Sequence, residues 1–276
     1  MNLFCNQLIV PFKAKKVIKL ISGLNNLDID QILALVKCAE VSNATYIDIS
    51  ANPRIISLIK SFTNLPICVS SIDPLELYNS VLAGADLVEI GNFDFFYKKN
   101  ISFSSFKILQ LAMKTRKLIT NKDICVTIPY TLNLWEQIDL AQKLENIGIN
   151  ILQTESYNSK YIIQSPINIS KNSKIDNLSK SIDITKITLS STYALSHFVN
   201  IPIITSSKMN CLSSPMAYLY GASGIGLGTF VCNKNSLQKK SLYINEISNS
   251  INLNNRLNQV DQISILSDRY KAISYK

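Results

Sequence analysis

The chain of 276 residues has one histidine, His197, and that scarcity removes a good deal of chemistry. A histidine-based triad needs an imidazole as its general base, and a histidine-ligated metal needs at least one at the site. His197 falls between Leu195 and Val199 on an expected helix, far from any strand end, so both are excluded. No apolar run approaches the roughly 20 residues of a membrane-crossing helix. Met1 to Gln7 show no charged leader followed by a greasy stretch, so a soluble chain that is not secreted is expected. The six cysteines (Cys5, Cys38, Cys68, Cys125, Cys211 and Cys232) lack close metal-ligand spacing and fit a reducing compartment. Cys68 and Cys125 read as small apolar fillers inside strands. Neither a metal nor a cofactor is expected. The net charge of +9 comes without a basic stripe interleaved with aromatics, so nucleic acid is not expected as a partner. The heavy use of Ile, Asn, Lys and Ser is what an AT-rich coding sequence produces, and it accounts for much of that charge.

What the chain does contain is a recurring phrase. Tyr220-Gly221-Ala222-Ser223-Gly224-Ile225-Gly226-Leu227-Gly228-Thr229 is echoed at Ala83 to Gly91, and more loosely at Ser42 to Ser50 and Asn146 to Thr154. Each copy ends an amphipathic helix at a small residue or Gly, turns, and enters a short β-branched strand. Strands of a second kind lie between them at Leu65 to Ser71, Asp123 to Pro129 and Ile201 to Ser207, and Val17 to Ser22 supplies the first. About eight strands, each followed by helical periodicity, in a chain near 250 residues predict an α/β protein: a parallel (β/α)8 TIM barrel. A doubly wound open sheet would carry its glycine cluster after the first strand, whereas here it sits at the last.

The expected helix stripes are Ile29, Ile32, Leu33, Val36 and Ala39; Ile55, Leu58, Ile59 and Phe62; Phe106, Leu109, Ala112 and Met113; and Trp135, Ile138, Ala141, Leu144 and Ile147. Asn2 to Lys16, with Leu8, Ile9, Val10 and Phe12, is expected to close the bottom of the barrel as a short helix. Ser156 to Ile184 lacks strong periodicity and reads as a lid or an expanded insertion, with helix resuming around Thr188. Residues 1–252 are expected to form one barrel domain and 253–276 a helical extension. The weak stripe Val260, Ile263, Leu266, Tyr270 and Ile273 has two possible docks, the barrel or a second subunit, which leaves a homo-oligomer open.

Alternate residues of a barrel strand face the interior, and those at its C-terminal end reach the active-site mouth. That period selects Lys19, Asp48, Ser70, Glu89, Thr127, Gln153 and Glu155, against intervening Ile, Leu and Val. A lysine among carboxylates in a narrow barrel must be paired or shifted in pKa. The group suits carbonyl chemistry: Lys19, Asp48, Glu89 and Glu155 are the candidate catalytic residues, with Lys19 as a charge stabiliser or a Schiff-base amine. Gly224, Gly226 and Gly228 are expected to leave the inner face of strand eight empty. With Ser206, Ser207 and Thr229 they mark a phosphate site, at Gly226, Gly228 and Thr229, where such barrels usually have one.

Four motifs carry a family resemblance: Lys19-Leu20-Ile21-Ser22-Gly23-Leu24-Asn25-Asn26, Glu89-Ile90-Gly91-Asn92-Phe93-Asp94-Phe95-Phe96-Tyr97, Val126-Thr127-Ile128-Pro129 and Gln153-Thr154-Glu155. They resemble signatures of the hypothetical chloroplast open reading frame twenty-three family of algal plastids and cyanobacteria. The resemblance implies an aldolase-type barrel that is plastid-encoded, resides in the stroma and has no transit peptide; it supplies no catalytic residues. Lys208 stands where a glycine is expected in relatives. Asn25, Asn92 and Asp94 follow strands one and four within these motifs and join Ser70, Thr127 and Gln153 as expected substrate contacts. The function read from all this is an enzyme acting on a small phosphorylated carbonyl compound, of lyase, aldolase or isomerase type. The competing reading is a barrel that binds such a metabolite without turning it over.

Overall fold

The computed structural model describes residues 2–156, 173–228, 231 and 236–252, with the backbone alone for 173–184. Eight strands follow one another in space as in sequence: β1 (Val17–Ile21), β2 (Tyr46–Ser50), β3 (Ile67–Ser70), β4 (Leu87–Ile90), β5 (Asp123–Ile128), β6 (Ile151–Thr154), β7 (Ile203–Thr205) and β8 (Gly224–Leu227). All neighbours are parallel and β8 pairs back onto β1, so the sheet is a closed barrel. The helices are α1 (Asn6–Lys13), α2 (Ile29–Glu40), α3 (Pro53–Lys60), α4 (Pro74–Leu82), α5 (Asp94–Tyr97), α6 (Ser105–Leu118), α7 (Leu134–Asn146), α8 (Ser173–Ser196) and α9 (Ser213–Leu219), with α10 at 237–252.

Local sequence fixes where each strand hands over to its helix. Asp28, Asn52, Asp73 and Ser104 accept backbone N–H groups at the starts of α2, α3, α4 and α6, and Pro53 and Pro74 sit where a missing N–H costs nothing. Asn133 and Glu136 cap α7 reciprocally. The expected two-residue period then sorts the strand residues. Outward Ile18, Leu20, Ile47, Ile49, Val69, Val88, Ile90, Val126 and Leu152 pack with the helices in one cluster. Inward Val17, Tyr46, Cys68, Leu87, Cys125, Ile151 and Ile204 form a second cluster with Leu8 and Phe12 of α1. The bottom plug is therefore as expected, although Val10 points to solvent. Asp123 anchors the plug by accepting the N–H groups of Phe4 (3.0 Å) and Cys5 (2.8 Å).

Expectations for five helices need correction. The buried face of α6 is Ile108, Leu111, Ala112 and Thr115, while Phe106 and Met113 are exposed; Trp135 is 75% exposed, and Ile29, Leu58 and Phe62 also lie outside. Each of these helices has apolar residues on more than one face, and an exposed apolar residue costs too little for period alone to choose between the faces. Residues 173–184, expected to be aperiodic, belong to α8. Its inner face is made of hydroxyls: Thr188 and Thr192 bond to Thr154 (2.9 and 2.8 Å), and Thr192 to Thr205 (2.7 Å). A helix held to the sheet by threonines shows little apolar period. Residues 157–172, Thr229 and the expected extension 253–276 lie outside the described residues.

Candidate functional site

Lys19 leaves β1 toward the barrel axis and is completely buried, as are Asp48 and Glu89. Its ammonium has three protons and meets three acceptors: Asp48 Oδ2 at 2.9 Å, Gln153 Oε1 at 2.9 Å and Glu89 Oε2. The other carboxylate oxygens are also satisfied. Ser70 Oγ donates to Asp48 Oδ1 (2.7 Å); Thr127 Oγ1 and Gln153 Nε2 both donate to Glu89 Oε1 (2.8 Å each). The amide of Gln153 has one possible orientation, because a lysine can only donate and an ionised carboxylate can only accept. Coulombic attraction from Asp48 and Glu89 outweighs desolvation, the largest single influence, and holds Lys19 well above its ordinary pKa. Burial, with help from Asp48, raises Glu89 against the pull of Lys19.

The chain makes room for this network at two neighbouring positions. A Cβ on Gly91 would lie 2.2 Å from Thr127 Oγ1 and 2.4 Å from Glu89 Oε1, so glycine is required there. Asn92 follows in the left-handed region (φ 60°), and its Nδ2 donates to Asp48 Oδ2 (2.9 Å) and Ser70 Oγ (2.8 Å). Asp48, Cys68 and Glu89 also bring ligand atoms within 4.8 Å of one another, the single such grouping of His, Cys, Asp or Glu among the described residues. The Lys19 ammonium already lies against both of those carboxylates.

Above the network, at the C-terminal ends of the strands, is an open cavity of about 270 Å³. Gln153 and Glu155 line it from β6, and Asn25, Asn92, Asp94, Ser206, Ser207 and Gly228 line it from the surrounding loops. The structure thus gathers the expected residues in two tiers. Lys19, Asp48 and Glu89 converge as expected, but beneath the cavity and not on its wall; Ser70 and Thr127 are likewise held below, their hydroxyls spent on Asp48 and Glu89. Gln153 belongs to both tiers.

The expectation for β8 is also corrected. A Cβ on Gly224 would meet Val17 Cβ at 2.7 Å, and one on Gly226 would meet Ile21 Cδ1 and Ser206 Oγ at 2.9 Å each. These glycines admit neighbouring side chains, so that part of the inner face is filled; Gly228 alone of the three lines the cavity. Ser207 and Lys208 are both left-handed, at φ 80° and 59°, which gives a backbone reason for the glycine expected at position 208. Ser207 Oγ accepts the N–H of Ser156 (2.8 Å).

Glu155 is the buried carboxyl that reaches the cavity. Burial pushes its pKa well above the usual range, and the neighbouring Asp94 and Glu89 add to the effect, against hydrogen bonds from Tyr97 Oη and the backbone of Tyr130. Tyr97 lies on α5 against Tyr130, ring centroids 4.9 Å apart, and sequence reading missed it. It also missed Lys98, Leu24 and Phe95 on the cavity wall, where Lys208 of the expected phosphate loop lies too. The available signal was position: loops that follow barrel strands surround the mouth, so their side chains belong in any candidate set.

A closed parallel eight-stranded barrel with a polar cavity over the C-terminal ends of its strands is an aldolase-type TIM barrel. The chain belongs to the family described as "Protein of unknown function (DUF561)", whose model matches residues 4–257. It is 44% identical over 266 residues to "Uncharacterized protein ycf23" of Antithamnion sp., covering 96% of this chain and 95% of the relative. The protein of the same name from Pyropia yezoensis is 41% identical over 243 residues, covering 88% and 85%. These relatives are plastid reading frames of algae, as the motifs implied, so the chain is of plastid-encoded type. Among solved structures it is similar to 3-hexulose-6-phosphate synthase from Salmonella typhimurium (TM-score 0.56, 12% identity, 86% and 99% coverage). It is also similar to (S)-3-O-geranylgeranylglyceryl phosphate synthase from Thermoplasma acidophilum in complex with sn-glycerol-1-phosphate (TM-score 0.57, 13% identity, 91% and 98% coverage). At such identities the likeness is one of fold. Among the described residues no helix is long and apolar enough to cross a membrane.

Proposed function

We propose that this chain is a stromal enzyme acting on a small phosphorylated carbonyl compound, in a lyase, aldolase or isomerase step. The observation that carries the reading is Glu155: a buried carboxyl whose charged form burial disfavours, on the wall of a cavity, beside an amide whose orientation is fixed from below. A neutral carboxyl is a proton donor, and one placed against a carbonyl oxygen stabilises the negative charge that develops there. Gln153 sits next to it with its amide held by Lys19, Glu89 and Thr127. Lys19 is therefore a positioning residue, and no Schiff base is drawn on it. The phosphate would lie on the β7–β8 side, near Ser206, Ser207 and Gly228, with Gly226 behind them and Thr229 adjoining. The barrels of similar fold named for, or holding, phosphorylated compounds support this choice.

One observation favours binding without turnover as a second reading: every hydrogen-bonding group of the Lys19, Asp48 and Glu89 cluster is already engaged. A single experiment separates the two. The protein is incubated in deuterated water with a panel of ketose and aldose phosphates, and exchange of the proton next to the carbonyl is followed by NMR. Exchange in which solvent takes up the proton while Glu155 stabilises the enolate oxygen, slowed by Glu155→Gln while phosphate still raises the melting temperature, is the expected result. A melting shift without exchange establishes the binder; neither shift nor exchange sinks both readings.

A further inference from the structure

We infer that the anionic group of the substrate is held by Lys98 and Lys208, two lysines on the cavity wall that both act on Asp94, and that Asp94 holds this site in its unliganded form. The inference rests on the phosphorylated-substrate reading and specifies which end of the molecule goes where. Lys98 follows α5 in the connection after β4, Lys208 follows β7, and both line the cavity with Asp94. Asp94 interacts electrostatically with both lysines, so the three charges share one space.

The balance of charge then orients a ligand. Among the described residues of the wall, the cations Lys98 and Lys208 face Asp94 and a Glu155 whose ionisation is opposed by burial. Beneath the floor, Lys19 contributes +1 against −1 each from Asp48 and Glu89 when both are ionised, and +1 − 2 leaves −1. An anion is attracted to the rim and repelled from the floor, so a bifunctional substrate enters with its phosphate outward and its uncharged carbonyl end down, against Gln153 and Glu155. The Lys208 backbone is left-handed, at φ 59°, where glycine would be unstrained.

Calorimetric titration of the full chain with inorganic phosphate tests the clamp. Lys98→Gln and Lys208→Gln should each weaken phosphate binding about tenfold, the scale of one charge-assisted contact. Lys208→Gly should weaken it as much while raising the melting temperature, which separates loss of charge from loss of folding. Asp94→Asn should tighten binding about threefold, because the competing carboxylate charge is gone. Lys99→Gln, whose Nζ lies 4.2 Å from the centroid of the Phe95 ring, should leave binding unchanged. If wild type binds phosphate and neither lysine variant at 98 or 208 weakens it, the clamp is wrong and the phosphorylated-substrate reading survives. Weaker binding in Asp94→Asn also overturns the clamp. No binding by wild type removes clamp and reading together.

Discussion

Two layers of the barrel interior, one inward-facing residue apart along each strand, have opposite chemistry. The lower layer is Val17, Tyr46, Cys68, Leu87, Cys125, Ile151 and Ile204, closed from below by Leu8 and Phe12. The upper layer is Lys19, Asp48, Ser70, Glu89, Thr127 and Gln153, as deeply buried as the first and joined by hydrogen bonds. The same backbone presents both, so the barrel has no preference; the difference lies in whether each polar atom finds a partner. Tyr46 shows the boundary between them. It belongs to the lower layer, and its buried hydroxyl has no hydrogen-bond partner among the described residues. The cavity lies above the upper layer, whose network holds the Gln153 amide at its wall from beneath.

Breaking the upper layer should cost most. Lys19→Met leaves Asp48 and Glu89 buried without their counter-ion and should destabilise the fold by about 4 kcal/mol, read from urea unfolding. Adding Glu89→Gln should recover part of the loss; if the single variant is as stable as wild type, the network is not held by charge. Breaking the lower layer should cost somewhat less: Phe12→Ala opens the plug and should lose about 3 kcal/mol, with the denaturant slope unchanged and phosphate binding retained.

The smallest effect is also the most specific. The folded-state pKa of Glu155 is raised, so the native chain holds that proton more tightly than the unfolded one does. Its contribution to stability is full below the unfolded value, near 4.5, and is lost as pH rises through the folded value. Glu155→Gln should therefore flatten the decline in melting temperature as pH rises above the unfolded value. Parallel curves for the two proteins would mean that Glu155 is ionised in the native cavity.

The upper layer was legible because strand period is strict. Counting by twos from Lys19, Asp48, Glu89 and Gln153 puts each on the axis whatever the helices do. Helix faces were less legible, since α6 offers Phe106 and Met113 as readily as Ile108 and Leu111. The second half of α8, from about Thr188, was legible, whereas its first half, 173–184, was read as an aperiodic insertion. The glycines of β8 misled in a further way: a residue without a side chain reads as empty space, yet Val17, Ile21 and Ser206 occupy that space.

The sequence by itself determined the eight-fold alternation, the closed barrel, the plug and the identity of the buried charges, because each follows from local period and from the cost of burying polar atoms. Only the tertiary structure decided that Lys19 lies under the cavity floor and that Glu155 reaches its wall. It also decided that Lys98 and Lys208, from segments more than a hundred residues apart, line one cavity with Asp94. Depth along the barrel axis and approach across it are set by how strands stagger and loops close over them, and neither is written in any one segment of the chain.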